Sequence, residues 1–168
     1  MPSSIRHRNL PQLMLQAREA LMEHFRPLLN EHGVTEQQWR ILRALMEEGP
    51  LEPRQLCGMC LISSPSITGV LVRMEEAGMV QRERMDHDQR RLKVSLSARG
   101  RQLARRMAPG VEHTYETLER LVGVKPLMQV YDVLDMLLRK LEAHADADAD
   151  AAGKPAPGAK RTASKVGA

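Results

Sequence analysis

Apolar residues in this chain recur three and four apart almost throughout, and the one clear interruption is a short stretch in which they alternate every second residue. Helices, then one two-stranded ribbon, then helices again is the order this dictates. It limits the fold to a mostly α architecture with a small β-hairpin. The first run steps through Leu10, Leu13, Met14, Ala17, Leu21, Phe25, Leu28 and Leu29, and His32 and Gly33 end it. Thr35 followed by Gln38 is a capping-box pattern, and Trp39, Leu42, Leu45 and Met46 give the next helix an apolar stripe. Gly49 and Pro50 close that helix.

A short third helix fits residues 52–60. After a tight connection Ser64 is expected to cap a fourth, with Pro65 in its first turn, where a fixed φ costs nothing. Ile67, Val70, Leu71 and Met74 form its inner side and leave Ser66, Thr68, Gly69 and Arg73 outward; Gly78 stops it. Residues 79–84 and 92–96 read as two strands joined by a polar loop over 85–90. Ser97 is expected to cap a further helix reaching about Glu119, with a bend at Pro109 and Gly110. A last helix begins near Pro126. Its Leu127, Tyr131, Leu134, Leu138 and Leu141 form a heptad seam, either core packing or an oligomer contact.

These signals divide the chain into an N-terminal extension (1–9), one domain (10–144) and a tail (145–168). Within the domain, residues 35–96 form a compact lobe flanked by helical segments at 10–32 and 97–144. The tail, an Ala/Asp repeat followed by Gly, Pro, Lys and Ala, has few large apolar groups to repay ordering and is expected to be disordered.

Charge then narrows the function. The net +4 is modest, but residues 82–106 hold nine Lys/Arg against Glu83, Asp86 and Asp88, so the positive field is concentrated around the hairpin. Aromatic residues are only 2% of the chain, too few for a base-stacking platform on single strands, which leaves the duplex backbone as the better anionic partner. Two short helices with a tight turn, followed by a basic hairpin, place one helix in a major groove and the hairpin beside it. The hydroxyls of Ser64, Ser66 and Thr68, with Pro65 and Arg73, mark the reader helix. Arg84, Asp88, Arg90, Arg91 and Lys93 mark the hairpin, with Asp88 steadying the bend, Arg90 directed at a narrow minor groove, and Arg91 and Lys93 tracking phosphate.

The stretch 88–100, Asp88-Gln89-Arg90 through Leu96-Ser97-Ala98-Arg99-Gly100, resembles the D-x-R … L-[ST]-x-x-G wing signature of the multiple antibiotic resistance regulator (MarR) family. Residues 66–80 resemble that family's recognition helix and its exit into the wing. The resemblance covers about Leu10 to Leu141. It implies a winged helix-turn-helix regulator, an obligate homodimer made by the first and last two helices, and a pseudo-palindromic duplex operator. Residues 15–20, 25–27 and 35–41 resemble more closely the subgroup that represses homoprotocatechuate (hydroxyphenylacetate) degradation operons, and relatives answering other hydroxylated aromatic acids such as hydroxynicotinate. By that resemblance a small aromatic acid effector lies between the dimerisation helices and the DNA-binding lobe. Arg18 and Arg40 are the candidates for its carboxylate, and Met22 and Trp39 for apolar walls; the alternative is that Trp39 is core and the arginines form ion pairs.

Other chemistries find less support. Cys57-Gly58-Met59-Cys60 is a lone C-x-x-C without a second pair, the histidines are scattered, and there is no phosphate loop or nucleophile elbow. No enzyme activity, cofactor or metal is therefore expected. A thiol-sensing regulator using Cys57 or Cys60, and a winged-helix protein-interaction module, stand as alternatives. Without an apolar run of membrane length or a signal-peptide core, the expected location is the cytoplasm.

Overall fold

The computed structural model describes residues 6–85 and 88–151, with side chains over 6–84 and 92–148. The order is α1 (Leu10–Glu31), α2 (Glu36–Glu48), α3 (Pro53–Cys60), α4 (Ser64–Glu76), β1 (Val80–Met85), β2 (Asp88–Leu96), α5 (Ala98–Val122) and α6 (Val124–Ala151). The chain divides into two units between Thr114 and Tyr115, within α5.

In the first unit, helix boundaries follow local chemistry. Asn9 caps α1 by accepting from the Gln12 amide at 3.0 Å. Thr35 and Gln38 close the expected capping box reciprocally, at 3.2 and 2.9 Å. Gly49, at φ +77°, ends α2 in a conformation that favours glycine. Helix α4 starts one residue earlier than the sequence suggests: Ser63 is the cap, its carbonyl accepting from the Ser66 and Ile67 amides, and Ser64 is the first helical residue. Pro65 still sits in the first turn, where its missing N–H is not needed.

Helices α3 and α4 meet at 109°, a helix-turn-helix angle. Their inner faces share one core with α2 and the ribbon, in which Ile41, Leu42, Leu56, Met74 and Val94 are wholly removed from water. The ribbon is antiparallel, Val80 opposite Leu96 and Arg82 opposite Val94. Its second strand is longer than expected. β2 begins at Asp88, so residues 88–90, assigned to the loop from sequence, belong to a strand. Arg84 pairs with Leu92 but Met85 with Asp88, so residues 89–91 form an irregularity where the ladder shifts register.

Two features anchor this ribbon, the first of them hidden in the sequence. Leu51 exchanges both backbone hydrogen bonds with Val94, at 2.9 and 2.7 Å, so the α2–α3 connection adds a one-residue third strand. At the far end, Ser97 donates to the Gly78 carbonyl and accepts from the Gly100 amide, tying the base of the ribbon to the start of α5. A Cβ on Gly100 would lie 1.9 Å from the Met79 carbonyl oxygen, so only glycine fits the closing position of the wing motif. Gly110 faces α1, where a Cβ would lie 2.5 Å from a Leu28 methyl and that side chain would have to shift.

Helix α5 is one helix through Pro109 and ends at Val122, three residues beyond Glu119; the loss of one backbone donor is tolerated within a 25-residue helix. In the second unit, Gly123 at φ +95° separates it from α6. Helix α6 runs to Ala151, seven residues into the segment expected to be a disordered tail. Alanine has the highest intrinsic helix propensity, and residues 145–148 are exposed, so the extension propagates from a formed helix without apolar burial there. Residues 152–168 lie outside the described region. Along α6 the seam stays open, with Tyr131, Leu138 and Leu141 exposed and Leu127 and Leu134 half-buried.

Candidate nucleic-acid interface

The outward side of α4 is built by the packing of its inward side. Burial of Ile67, Val70, Leu71 and Met74 fixes the helix rotation, and Ser64, Pro65, Ser66, Thr68 and Arg73 are left exposed together. The hydroxyls are partly pre-set: Ser63 donates to the Ser66 hydroxyl at 2.8 Å. Ser66 therefore keeps its own proton for another acceptor, such as a phosphate oxygen or a base edge.

The ribbon sorts its cations by face. Because side chains alternate along a strand, Arg82 and Arg84 share the side of Val80 and Val94, whereas Lys93 lies opposite Glu83 on the other side. Arg84 and Lys93 are both exposed but present opposite faces of the wing. The side chains of Asp88, Arg90 and Arg91 lie outside the described residues, so the tip of the wing is placed by its backbone alone.

Part of the basic segment is used internally. Arg82 grips Glu75 through both Nε, at 2.7 Å, and Nη2, and this pair holds the Glu75 carboxyl below its usual range. Arg101 donates to the Leu96 carbonyl at 2.6 Å, and the Arg99 side chain lies against Gly78. Charge density alone does not separate arginines that contact their own fold from those that do not. The signal that could have done so is Glu75, the penultimate residue of α4, seven positions before Arg82 on the strand that follows.

The four residues assigned to an effector are not gathered around one partner. Arg18 donates to Glu36 at 2.6 Å and lies 3.5 Å from Glu19, while Arg26 bonds the same two carboxylates, at 3.1 Å to Glu36. The Arg18 hydrogen bond is the main reason the Glu36 carboxyl titrates below its ordinary range, partial burial working against it. This network, which sequence reasoning offered only as an alternative for Arg18, joins α1 to the N-terminus of α2. Arg40 instead donates to the Cys60 carbonyl at 2.5 Å, and its buried Nε has no hydrogen-bond partner among the described residues. Met22 and Trp39 are half-buried against the lobe's core.

Burial pushes the Cys60 thiol up to about 11, the neighbouring Arg40 only partly offsetting it. At neutral pH it is a protonated, inert group, which counts against a sensor built on this thiol. Cys57 is half-buried, 3.8 Å from the Ser64 hydroxyl. Among the described residues no cluster of His, Cys, Asp or Glu could hold a metal ion, and no single helix is long and apolar enough to cross a membrane.

Comparison with known proteins brings this arrangement into a wider set. The profile of the MarR family matches residues 32–91, the stretch that holds the helix-turn-helix and the wing's first strand. The HTH-type transcriptional regulator FarR of Neisseria gonorrhoeae is 38% identical over 83% of this chain and 95% of its own length. The homoprotocatechuate degradative operon repressor of Escherichia coli is 39% identical over 77% of this chain and 87% of its own. Among solved structures, NadR in complex with 4-hydroxyphenylacetate superimposes with a TM-score of 0.72 at 39% identity, covering 82% of this chain and 97% of that one.

Proposed function

Because the chain belongs to the MarR family of transcriptional regulators, we propose that it is a ligand-responsive homodimeric repressor, acting in the cytoplasm on a pseudo-palindromic operator of an aromatic-acid catabolic operon and released by a small hydroxylated aromatic carboxylate. The observation that carries the reading is the exposed hydroxyl face of α4 beside a cation-bearing ribbon. In this arrangement Ser64, Pro65, Ser66, Thr68 and Arg73 meet the major groove. Arg84, Asp88, Arg90, Arg91 and Lys93 form the wing, with Arg90 at the minor groove. MarR regulators act as dimers, and the open apolar seam of α6 supports the same state for this chain.

The aromatic-acid effector is supported by two relatives, one named for repression of a homoprotocatechuate operon and one bound to 4-hydroxyphenylacetate. On the chain itself, the Nε of Arg40 is a buried donor without a described partner. Arg18 is held by a carboxylate that another carboxylate can replace. Met22 and Trp39 supply apolar surface. An effector that bound both dimer geometries equally would change nothing, so release requires preference for the form that does not fit DNA.

The test is thermal unfolding with 4-hydroxyphenylacetate or 6-hydroxynicotinate added, followed by gel shift on promoter DNA at two salt concentrations. A ligand selective for the folded dimer raises its apparent stability and releases the duplex. Retardation that weakens with salt is expected without effector. An unretarded duplex would remove the DNA-binding reading, and retardation unaffected by any aromatic acid would remove the effector.

A further inference from the structure

Helix α4 carries a glycine that its own fold does not require. Gly69 lies in mid-helix on the outward face, three residues after Ser66 and four before Arg73, so the three share one side. Glycine inside a helix is less stable than alanine, because it surrenders more backbone freedom and packs nothing. Elsewhere in this chain that disadvantage is offset by a steric need. A Cβ on Gly100 would collide with a backbone carbonyl and one on Gly110 with a leucine methyl, whereas a Cβ on Gly69 would meet only the Nη1 of Arg73, at an ordinary 3.5 Å. Its backbone is helical, so no left-handed conformation demands it either.

What the missing side chain leaves is low, half-buried backbone between the Ser66 hydroxyl and the stem of Arg73, with the Arg73 guanidinium folded back to 3.5 Å from where a Cβ would lie. A methyl there would fill the space beside that guanidinium and raise this face of the helix. It would hold both polar groups away from any surface they are to touch. We propose that Gly69 sets how closely α4 approaches the floor of the major groove and is thereby a specificity-determining position, its partner being base-edge atoms, the thymine 5-methyl included. The proposal rests on the reading that α4 enters the groove.

Gly58 supplies a matched comparison. It is also inside a helix, though exposed where Gly69 is half-buried, nothing lies within 4 Å of where its Cβ would be, and it sits on α3 rather than α4. The experiment takes full-length wild type, Gly69→Ala and Gly58→Ala, a duplex selected by the wild type from a random pool, and a scrambled duplex of equal length. Melting temperature and affinity for both duplexes are measured. Both alanine variants are expected to melt higher than wild type. Only Gly69→Ala should lose affinity for the selected duplex, by about tenfold or more, in the range of one mismatched base pair. Its affinity for the scrambled duplex, governed by phosphate charge, should stay within about twofold.

The inference is overturned if Gly69→Ala binds the selected duplex as wild type does, if it melts lower, or if Gly58→Ala loses affinity to the same extent. An equal loss on both duplexes also overturns it, since clearance at base edges cannot weaken charge-driven binding. Failure of the wild type to select any duplex would instead remove the parent reading of α4.

Discussion

The lobe of residues 35–96 and helix α6 carry apolar stripes of similar quality and treat them in opposite ways. In the lobe, α2, α3 and α4 turn their stripes toward one another, and Ile41 and Leu56 retain 0% of their surface. On α6, Tyr131 and Leu141 keep 50% and 58% of theirs. A period of three and four states that a helix face is to be buried, but not by what. The lobe answers within the chain, whereas the seam of α6 is completed, on the proposed reading, by a second copy. On that reading, DNA recognition and subunit pairing are stabilised by different sets of residues, and each can be disturbed separately.

The largest effect is expected in the lobe. Leu56→Ala removes a wholly buried side chain and should lower unfolding free energy by about 2–5 kcal/mol, read from denaturant titration. A cost like that of a surface substitution would mean that the lobe is not one packed core. Next comes α6. Leu138→Glu places a charge on the open seam and should raise the dimer dissociation constant by about tenfold or more in sedimentation, while far-UV circular dichroism at low concentration stays unchanged. Loss of helical signal together with association would show that the seam is core.

The smallest effect lies at the link between α1 and α2. The Glu36 carboxyl titrates below its ordinary 4.5 because Arg18 and Arg26 bond its charged form. A group depressed in the folded state contributes stability that is present above its unfolded value and lost as pH falls through the folded one. Wild type should therefore lose part of its margin over Glu36→Gln only as pH drops below about 4.5, and the two melting curves should converge there. A margin that persists unchanged through that acid range would mean that it does not come from the Glu36 charge, and no margin at neutral pH would mean that the exposed pair contributes nothing.

Legibility in the sequence followed the range of the interaction. The Thr35–Gln38 box, the α4 inner face and the Ser97 cap are set by residues within four positions of each other, and periodicity was sufficient to read them. What was missed is long-range or conformational. The Leu51–Val94 bridge joins positions 43 apart, and nothing in a single leucine announces it. The start of β2 at Asp88 was obscured because a polar, charged segment looks like a loop when only one face of a strand is apolar. Arg82 adds to the charge of the basic segment although Glu75 holds it, and the Ala/Asp run looks disordered although its alanines extend α6. Leu61, at φ +49° and 84% exposed in the turn between α3 and α4, occupies a place where glycine would relieve strain, and no pattern in the sequence flags it.

On the proposed reading, two copies joined through α6 present two α4 helices to one duplex. Sedimentation of the protein with a duplex it has selected, at rising protein concentration, tests this most directly. Two chains per duplex, arriving together, with Leu138→Glu failing to form that complex at the same concentrations, is the predicted result. One chain bound at full affinity, or a Leu138→Glu variant that saturates the duplex as wild type does, would contradict it.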